Sequence, residues 1–279
     1  AYIILFKYMP MYGITVAFKD YSIFRGYSAS PWVGMANFAK LFGRVAFQRA
    51  LQNNVIISVQ KLICGFPTPI VLSLMINELR QLKRAIQTSI ILPNFISWIV
   101  INGLLYAMFS TSGGALIGVL RALGYTGAAP NILADKEHFR LVVLFSYLWK
   151  SGGMGTIVYL AAIASIDQEL YEAAQIDGAG HWKQLLHVTL PSIVPIIILM
   201  STLSLGNILN AGFDQVFNLY NSVVYESGDI LDTLVYRIGF GSGQFGLSSA
   251  AGLFKSLVSA VLVVISYKVA YKTSGYRVF

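Results

Sequence analysis

The polar stretch YEAAQIDGAGHWKQLLHVTLP, from Tyr171 to Pro191, lies between two long apolar runs and decides how the chain can fold. It has two helix-like halves that meet at Gly178, because glycine can adopt the positive φ that a sharp turn needs. The aliphatic residues of LLHV give the second half an apolar side. Pro191 stands where the next helix begins, a position that tolerates its missing N–H. The stretch predicts a polar helical elbow between two membrane helices.

Outward from this elbow, the apolar residues are gathered into runs of the length that a bilayer requires. A hydrocarbon core of about 30 Å needs about 20 apolar residues per helix. In lipid, every backbone N–H and C=O must be satisfied within its own segment. The pattern therefore predicts an all-α integral membrane protein with six transmembrane helices. The runs are Ala1 to Phe18, Ala50 to Asn77, Ala85 to Phe109, Leu141 to Ile166, Leu190 to Leu209 and Gly246 to Ala270.

The composition agrees with a lipid environment. Of the 279 residues, 56% are hydrophobic and only 11% are charged, whereas an ordinary soluble domain has about 25% charged residues. So few charged side chains cannot cover a soluble surface. The chain begins inside its first apolar run and without Met, so we expect the first helix to be incomplete here.

The connections between the runs alternate in length. Short polar connections are expected on one side of the membrane, and long connections rich in aromatic residues, Gly and Pro on the other. Lysine and arginine occur in similar numbers on both sides, so the positive-inside rule does not orient the bundle. The short connections are residues 78–84 and 167–189, and the long ones are residues 19–49, 110–140 and 211–245.

The elbow resembles the cytoplasmic signature of the permease subunits of ABC importers. That signature is Glu-Ala-Ala, three residues, Gly, nine residues, Ile, one residue and Leu-Pro. All the spacings match, with valine in place of isoleucine as the one change. The matching residues are Glu172, Ala173, Ala174, Gly178, Val188, Leu190 and Pro191.

The resemblance extends along nearly the whole chain. Four further stretches are similar to the LplB-type permeases of polysaccharide and oligosaccharide importers, a group that includes importers of alginate and other acidic fragments. They are MYGITVAFKDY (residues 11–21), SPWVGMANF (30–38), ILPNFISW (91–98) and GFDQVFNLYN (212–221).

This resemblance implies a type I ABC importer permease whose elbow, residues 167–189, faces the cytoplasm and carries a coupling helix. Glu172 would supply a charged contact with the ATPase, Ala173 and Ala174 a close approach, and Gly178 the turn. Asp177, Leu190 and Pro191 complete the expected coupling site. ATP-driven alternating access would then move the substrate inward.

The implied partners are a second permease subunit, which forms a heterodimer with this chain, and two ATP-binding cassette subunits on the cytoplasmic side. An extracytoplasmic solute-binding protein would dock on the long outer connections, especially residues 19–49 and 211–245. The substrate would be an oligosaccharide, with acidic uronate or alginate-like chains as one candidate class.

The sequence predicts no nucleotide site, metal site or catalytic site of its own. The glycines of residues 152–155 are not followed by the Lys-Ser/Thr of a phosphate loop, and the G-x-G-x-x-G of residues 241–246 follows no predicted strand. The single Cys64 and the three histidines show no metal-ligand spacing. We therefore expect ATP and Mg²⁺ to bind to the partner ATPase.

Three lysines lie inside apolar runs, where ionisable residues suggest function. Lys61, Lys150 and Lys255 each lie about ten residues from the expected outer end of a run, or about 15 Å deep at 1.5 Å per residue. They could form a basic collar around the path of an anionic sugar chain, because carboxylates stabilise buried ammonium groups. The alternative is that they snorkel or cap neighbouring carbonyl groups.

Polar residues in the runs are weaker candidates for the substrate path. Their hydroxyl and amide groups match the hydrogen-bonding groups of a sugar, but bonds between helices explain them equally well. They are Asn102, Tyr106, Tyr159, Asn207 and Asn210.

Other classes of function remain as alternatives. A channel or ion-coupled carrier would need no ATPase, but it predicts an acidic relay inside the runs, and the sequence has none there. A membrane scaffold would assemble with partners without transport. The net charge of +8 does not indicate nucleic acid, because no polar segment combines a basic stripe with interleaved aromatic residues.

Overall fold

The structure is a computed structural model that describes residues 2–79, 81–205 and 208–274, with side chains as far as residue 268. The described part is helical, without strands, and has one isolated antiparallel bridge between Lys19 and Trp32. The predicted all-α class is thus confirmed for these residues.

A π-helical turn, Ile4–Tyr8, and a 3₁₀ segment, Met9–Phe18, precede the α-helices. The α-helices are α1 (Gly26–Ala29), α2 (Ala36–Phe42), α3 (Val45–Gly65), α4 (Pro67–Asn77), α5 (Lys83–Ile91), α6 (Trp98–Phe109), α7 (Ala115–Ala122), α8 (Phe139–Ala164), α9 (Gln168–Ile176), α10 (His181–Gln184), α11 (Leu190–Leu205), α12 (Phe213–Leu219), α13 (Tyr225–Gly228), α14 (Leu231–Tyr236) and α15 (Phe245–Ser274).

Within the described residues, four helices are long and apolar enough to cross a membrane. A fifth candidate is the pair Lys83–Phe95 and Trp98–Phe109, which is bent by 102°, a bend that the apolar pattern did not predict. The apolar helix Ile4–Phe18 is shorter. The predicted count of six spans therefore stays a prediction. The four helices are Val45–Asn77, Phe139–Ala164, His181–Leu205 and Phe245–Lys268.

The helix that contains the second predicted run, Ala50 to Asn77, begins earlier than the run does. Val45–Asn77 joins α3 and α4 into a helix of 33 residues, about 50 Å at 1.5 Å per residue. Pro67 lies at the start of α4, where its missing N–H is tolerated. Because the hydrocarbon core is about 30 Å thick, part of this helix must extend beyond it.

The chain divides into two compact units. Unit 1 consists of the described parts of Ala1–Ser58, Leu105–Arg140 and Leu209–Val261. Unit 2 consists of the described parts of Val59–Leu104, Leu141–Ile208 and Leu262–Phe279.

The core of unit 1 joins its first helices to its last ones. Phe47 from α3 is buried against Leu231 and Leu234 from α14 and Ala250 from α15. The Phe47 ring lies edge-on to Phe254, with the ring centroids 5.6 Å apart. Edge-to-face aromatic pairs of this kind add stability beyond the area that they bury.

The predicted outer connection of residues 211–245 is a folded part of unit 1. The Asn53 amide donates to the carbonyls of Glu226 and Asp229, at 3.2 and 3.0 Å. The Arg140 guanidinium donates to Asn53 Oδ1 at 2.8 Å and to the Ser227 carbonyl at 3.1 Å. Polar side chains of α3 and α8 thus hold α13 in place.

A partly buried ion pair closes the same segment. The Arg237 guanidinium donates to both carboxylate oxygens of Asp229, at 3.1 and 2.5 Å, and it lies over the Tyr225 ring. Burial by itself would lower the pKa of Arg237, but the hydrogen bonds to Asp229 raise this pKa above its ordinary value. Removing Arg237 would leave the buried Asp229 carboxylate without its cation, so we infer that the pair fixes this segment.

Unit 2 is held together by close contacts at glycines of α8. A Cβ added at Gly153 would lie 2.1 Å from the Ile90 carbonyl oxygen, and one at Gly155 would lie 2.9 Å from Pro69. Small residues permit such close approach of helices in membranes, where apolar surfaces gain little by leaving lipid. The glycines of residues 152–155, which do not fit a phosphate loop, therefore have a packing role.

Candidate functional site

The first half of the elbow is helix α9, which is capped by its own sequence. Asp167 is the N-cap residue, and its carboxylate accepts a hydrogen bond of 3.0 Å from the Glu169 N–H. Asp167 and Glu169 both place negative charge at the positive end of the helix. No residue of α9 is fully buried, and most of its side chains are exposed.

The turn between the two halves is a Schellman motif centred on Gly178. The Ala179 N–H donates to the Ala174 carbonyl at 2.9 Å, and the Gly178 N–H donates to the Gln175 carbonyl at 3.0 Å. Gly178 has φ +76°, the left-handed conformation that glycine adopts without steric cost. The turn predicted at Gly178 is thus present, with Asp177 as the C-cap residue.

The second half of the elbow is continuous with the next membrane helix. Residues His181–Leu205 form one helix of 25 residues, whereas the predicted span begins at Leu190. A π-helical turn, Leu185–Thr189, precedes Pro191. Proline in a helix crowds the carbonyl four residues earlier, and a π turn at that position relieves the crowding.

The two halves and the other short connection meet in unit 2. The hydroxyl groups of Tyr171 and Thr189 are 2.9 Å apart, which joins α9 to the following helix. His181 Nδ1 lies 3.4 Å from the Glu78 carboxylate. A cavity of about 400 Å³ is lined by Glu78, Gln168, Tyr171 and His181, among others. The two short connections therefore approach each other in unit 2.

Large apolar side chains are exposed on this elbow, and the sequence pattern did not indicate them as contact candidates. Ile176 is 87% exposed and Trp182 is 79% exposed, on either side of the Gly178 turn. Exposed apolar groups of this size mark surfaces for partners. Their place in the sequence could have indicated such a contact, because both are large hydrophobic residues within four residues of Gly178.

The predicted coupling residues share this outward-facing surface. Glu172, Ala173, Asp177 and Gly178 are exposed, and Ala174 is partly buried. In the following helix, Leu190 is partly buried and Pro191 is exposed. The structure therefore places most of the signature residues where a second protein can reach them.

The three lysines of the predicted collar have different surroundings. Lys61 is buried, with its ammonium 4.9 Å from the centre of the Tyr147 ring. The Lys150 ammonium donates to the carbonyl of Asn94, in the 3₁₀ turn that follows α5, and to the carbonyl of Ile96. The Lys255 ammonium donates to both carboxylate oxygens of Asp232, each at 2.6 Å. The contacts of Lys150 favour the capping alternative, whereas Lys255 pairs with a carboxylate, which the sequence pattern did not predict.

The polar candidates for the substrate path are dispersed. Asn102 and Tyr159 are buried. The Tyr106 hydroxyl donates to the Leu219 carbonyl at 3.0 Å, and Asn210 Oδ1 accepts from the Gly212 N–H at 3.3 Å. The remaining candidate, Asn207, lies outside the described residues. Hydrogen bonds to the backbone therefore account for Tyr106 and Asn210.

Comparison with known proteins identifies the family. A protein-family model described as "Binding-protein-dependent transport system inner membrane component" matches residues 65–271. Protein LplB of Bacillus subtilis (strain 168) is 40% identical, covering 97% of this chain and 85% of its own length. The polygalacturonan/rhamnogalacturonan transport system permease protein YteP of the same organism is 39% identical, covering 97% and 84%.

A solved structure agrees with the sequence comparison. It is described as a bacterial ABC transporter involved in the import of the acidic polysaccharide alginate, and one of its chains matches with a TM-score of 0.90 and 37% identity. The match covers 98% of this chain and 92% of that chain. With its apolar helices and its exposed elbow, the chain belongs to the family of inner membrane components of binding-protein-dependent transport systems, as a multi-pass permease subunit of an ABC sugar importer.

Proposed function

We propose that this chain is one half of an ATP-driven oligosaccharide importer that works by alternating access. A second permease subunit supplies the other half of the path. Two ATP-binding cassette subunits bind ATP and Mg²⁺, and one of them docks on the elbow. The observation that carries the proposal is the exposed elbow, in which the signature residues surround a turn closed by Gly178.

The elbow offers two kinds of contact to an ATPase subunit. Glu172 is an exposed carboxylate on α9, and Ile176 and Trp182 are exposed apolar groups near the turn. An apolar centre with a charged rim is typical of specific protein interfaces. Movement of the ATPase would reach the bundle through the helix that begins at His181, because this helix runs without interruption from the elbow to Leu205.

On the opposite side, the connections of residues 19–49 and 211–245 are proposed to receive a solute-binding protein. The folded segment of residues 213–241 presents a row of rings, in which Phe217 and Tyr236 have centroids 4.8 Å apart and Tyr236 and Phe240 5.4 Å apart. Phe240 is 75% exposed. A related alginate transporter is described in complex with a periplasmic protein that carries an alginate pentasaccharide.

The proposed substrate is an acidic oligosaccharide. This rests on similarity, because the related transporter structures are described with alginate and one relative is described with polygalacturonan and rhamnogalacturonan. Of the predicted collar, Lys61 is the most deeply buried lysine, and its ammonium lies 4.9 Å from the centre of the Tyr147 ring. We propose it as the collar member to test first for a contribution to acidic selectivity.

The substrate proposal predicts that uronate oligosaccharides stimulate ATP hydrolysis more than neutral ones do. The measurement is ATPase activity in proteoliposomes that contain this chain, its partner permease and the ATPase, with each sugar presented on the binding protein. A buried ammonium group favours a carboxylate partner, so Lys61→Met should reduce the preference for acidic over neutral chains.

Lys268→Met is the control. Lys268 is exposed and lies near the end of α15, 13 residues beyond Lys255 of the predicted collar, so its substitution should leave the preference unchanged. Equal stimulation by neutral sugars would be consistent with the importer function but would contradict the proposal that the substrate is acidic. Transport without any coupling to an ATPase would instead favour a channel or ion-coupled carrier, and assembly without transport would favour a scaffold.

A further inference from the structure

The bent pair Lys83–Phe95 and Trp98–Phe109, which is the fifth candidate span, is broken in the middle, and the break lies in unit 2. Helix α5 continues as a 3₁₀ turn, Leu92–Phe95, and stops at Ile96, whose backbone is extended with φ −80° and ψ 135°. Helix α6 then starts at Trp98, after a bend of 102°. The last carbonyls of a helix have no partner within it, and they carry the negative end of its dipole. The break therefore exposes several backbone oxygens within an apolar segment.

The ammonium group of Lys150, from α8, lies at these oxygens. Its Nζ donates to the Asn94 carbonyl at 2.9 Å, to the Ile96 carbonyl, and to the Pro93 carbonyl at 3.4 Å. It also lies 5.4 Å from the centre of the Trp98 ring, which begins α6. One cation thus contacts the end of the first arm, the extended residue and the start of the second arm.

The packing of α8 brings Lys150 within reach of the break. Gly153, less than one helical turn further along α8, lies so close to Ile90 that a Cβ there would be 2.1 Å from the Ile90 carbonyl oxygen. Gly152 likewise lies against Thr68 of α4, where an added Cβ would be 3.1 Å from the threonine methyl. A bulkier α8 would be held further from α5, and the lysine could not bond to three carbonyls at once.

We propose that Lys150 is a tethered cation that fixes the bend of this broken span, in the way that a bound monovalent ion could fix it. Carbonyl oxygens at a helix end attract positive charge, and an ammonium group supplies three N–H donors that can be shared among them. Lys150 is then a positioning residue for transport, because it holds the two arms at their angle. This role differs from a contact with an anionic substrate and does not depend on the identity of the sugar.

The test measures the angle between the arms directly. Ser89 on α5 and Leu104 on α6 are both exposed, and spin labels at cysteines placed there report the distance between the arms, with Cys64→Ala as the background. The measurement is made on the full transporter complex without nucleotide or sugar. We expect Lys150→Met to shift or broaden the distance distribution and Lys150→Arg to preserve it. Lys268→Met, which removes an exposed lysine of the same unit, is the control and should preserve it.

Transport assays separate this role from the collar. We expect Lys150→Met to lower the uptake of acidic and neutral oligosaccharides by the same factor, at least tenfold, and Lys150→Arg to retain most of the uptake. If Lys150→Met does not assemble, Lys150→Gln keeps a donor without the charge and should show the same shift in distance. An unchanged distance distribution in the assembled neutral variant would overturn the proposal. A loss of uptake confined to acidic sugars would also overturn the proposal, and it would instead support a role for Lys150 in the basic collar.

Discussion

Replacing Gly178 with valine is expected to uncouple ATP hydrolysis from transport while the protein still inserts and assembles. The left-handed conformation at φ +76° costs a residue with a side chain about 1–2 kcal/mol, and a β-branched residue fits it least well. If the elbow must keep its Schellman turn to bind the ATPase, this cost weakens coupling by a factor of about 5–30. The measurement is the ratio of sugar transported to ATP hydrolysed in proteoliposomes.

Gly180→Ala is the matched control in the same elbow. Gly180 has an ordinary φ of −71° and open space where a Cβ would be placed, so its substitution should leave coupling nearly unchanged. Glu172→Ala, which removes a carboxylate without straining the backbone, should lower coupling as well. If both Gly178→Val and Glu172→Ala kept full coupling, the proposal that the ATPase docks on the elbow would be wrong.

Replacing Gly153 with alanine is expected to cause the largest loss of stability among the glycines of α8. Alanine in a helix is normally favoured over glycine by about 1 kcal/mol, but the added methyl would lie 2.1 Å from the Ile90 oxygen and 2.6 Å from its carbonyl carbon. These are backbone atoms, so α5 itself must move. We expect a loss of about 3 kcal/mol, the upper end of overpacking effects. Thermal denaturation of the purified complex measures it as a midpoint lowered by several degrees.

Gly103→Ala, in the same unit, is expected to cause no loss of stability. Gly103 lies within α6 and has no atom within 4 Å of an added Cβ, so alanine should leave the midpoint unchanged or raise it slightly. If Gly153→Ala behaved like Gly103→Ala, the close approach of α8 to the broken span would be wrong, and with it the geometry that places Lys150 at the carbonyls.

The elbow shows how far local sequence can specify a site. Asp167 at the N-cap, Gly178 at the turn and the small residues between them are all determined by short-range hydrogen bonds and backbone preferences. The pattern therefore predicted the helix, the turn and the exposed signature residues. It did not predict that the second half would continue into the membrane helix, because Pro191 suggested a boundary that the π turn of Leu185–Thr189 removes.

The contacts of the three lysines could not be predicted from the sequence. Their depth could be counted along the chain, but their partners come from distant segments. Asp232 is 23 residues from Lys255, and Asn94 is 56 residues from Lys150. No periodicity within a single run encodes such pairs, so a collar and a set of local caps were equally consistent with the pattern. The contacts favour capping or pairing for Lys150 and Lys255.

The sequence by itself determined the membrane class, the helical elbow and the family signature, because apolar length, capping residues and motif spacing are properties of contiguous segments. Only the tertiary structure revealed the 102° break after Ile96, the folding of residues 213–241 into unit 1, and the partners of the buried charges. Those features depend on which helices approach each other and at what distance. That is decided by the packing of glycines and by buried polar groups satisfied from elsewhere in the chain.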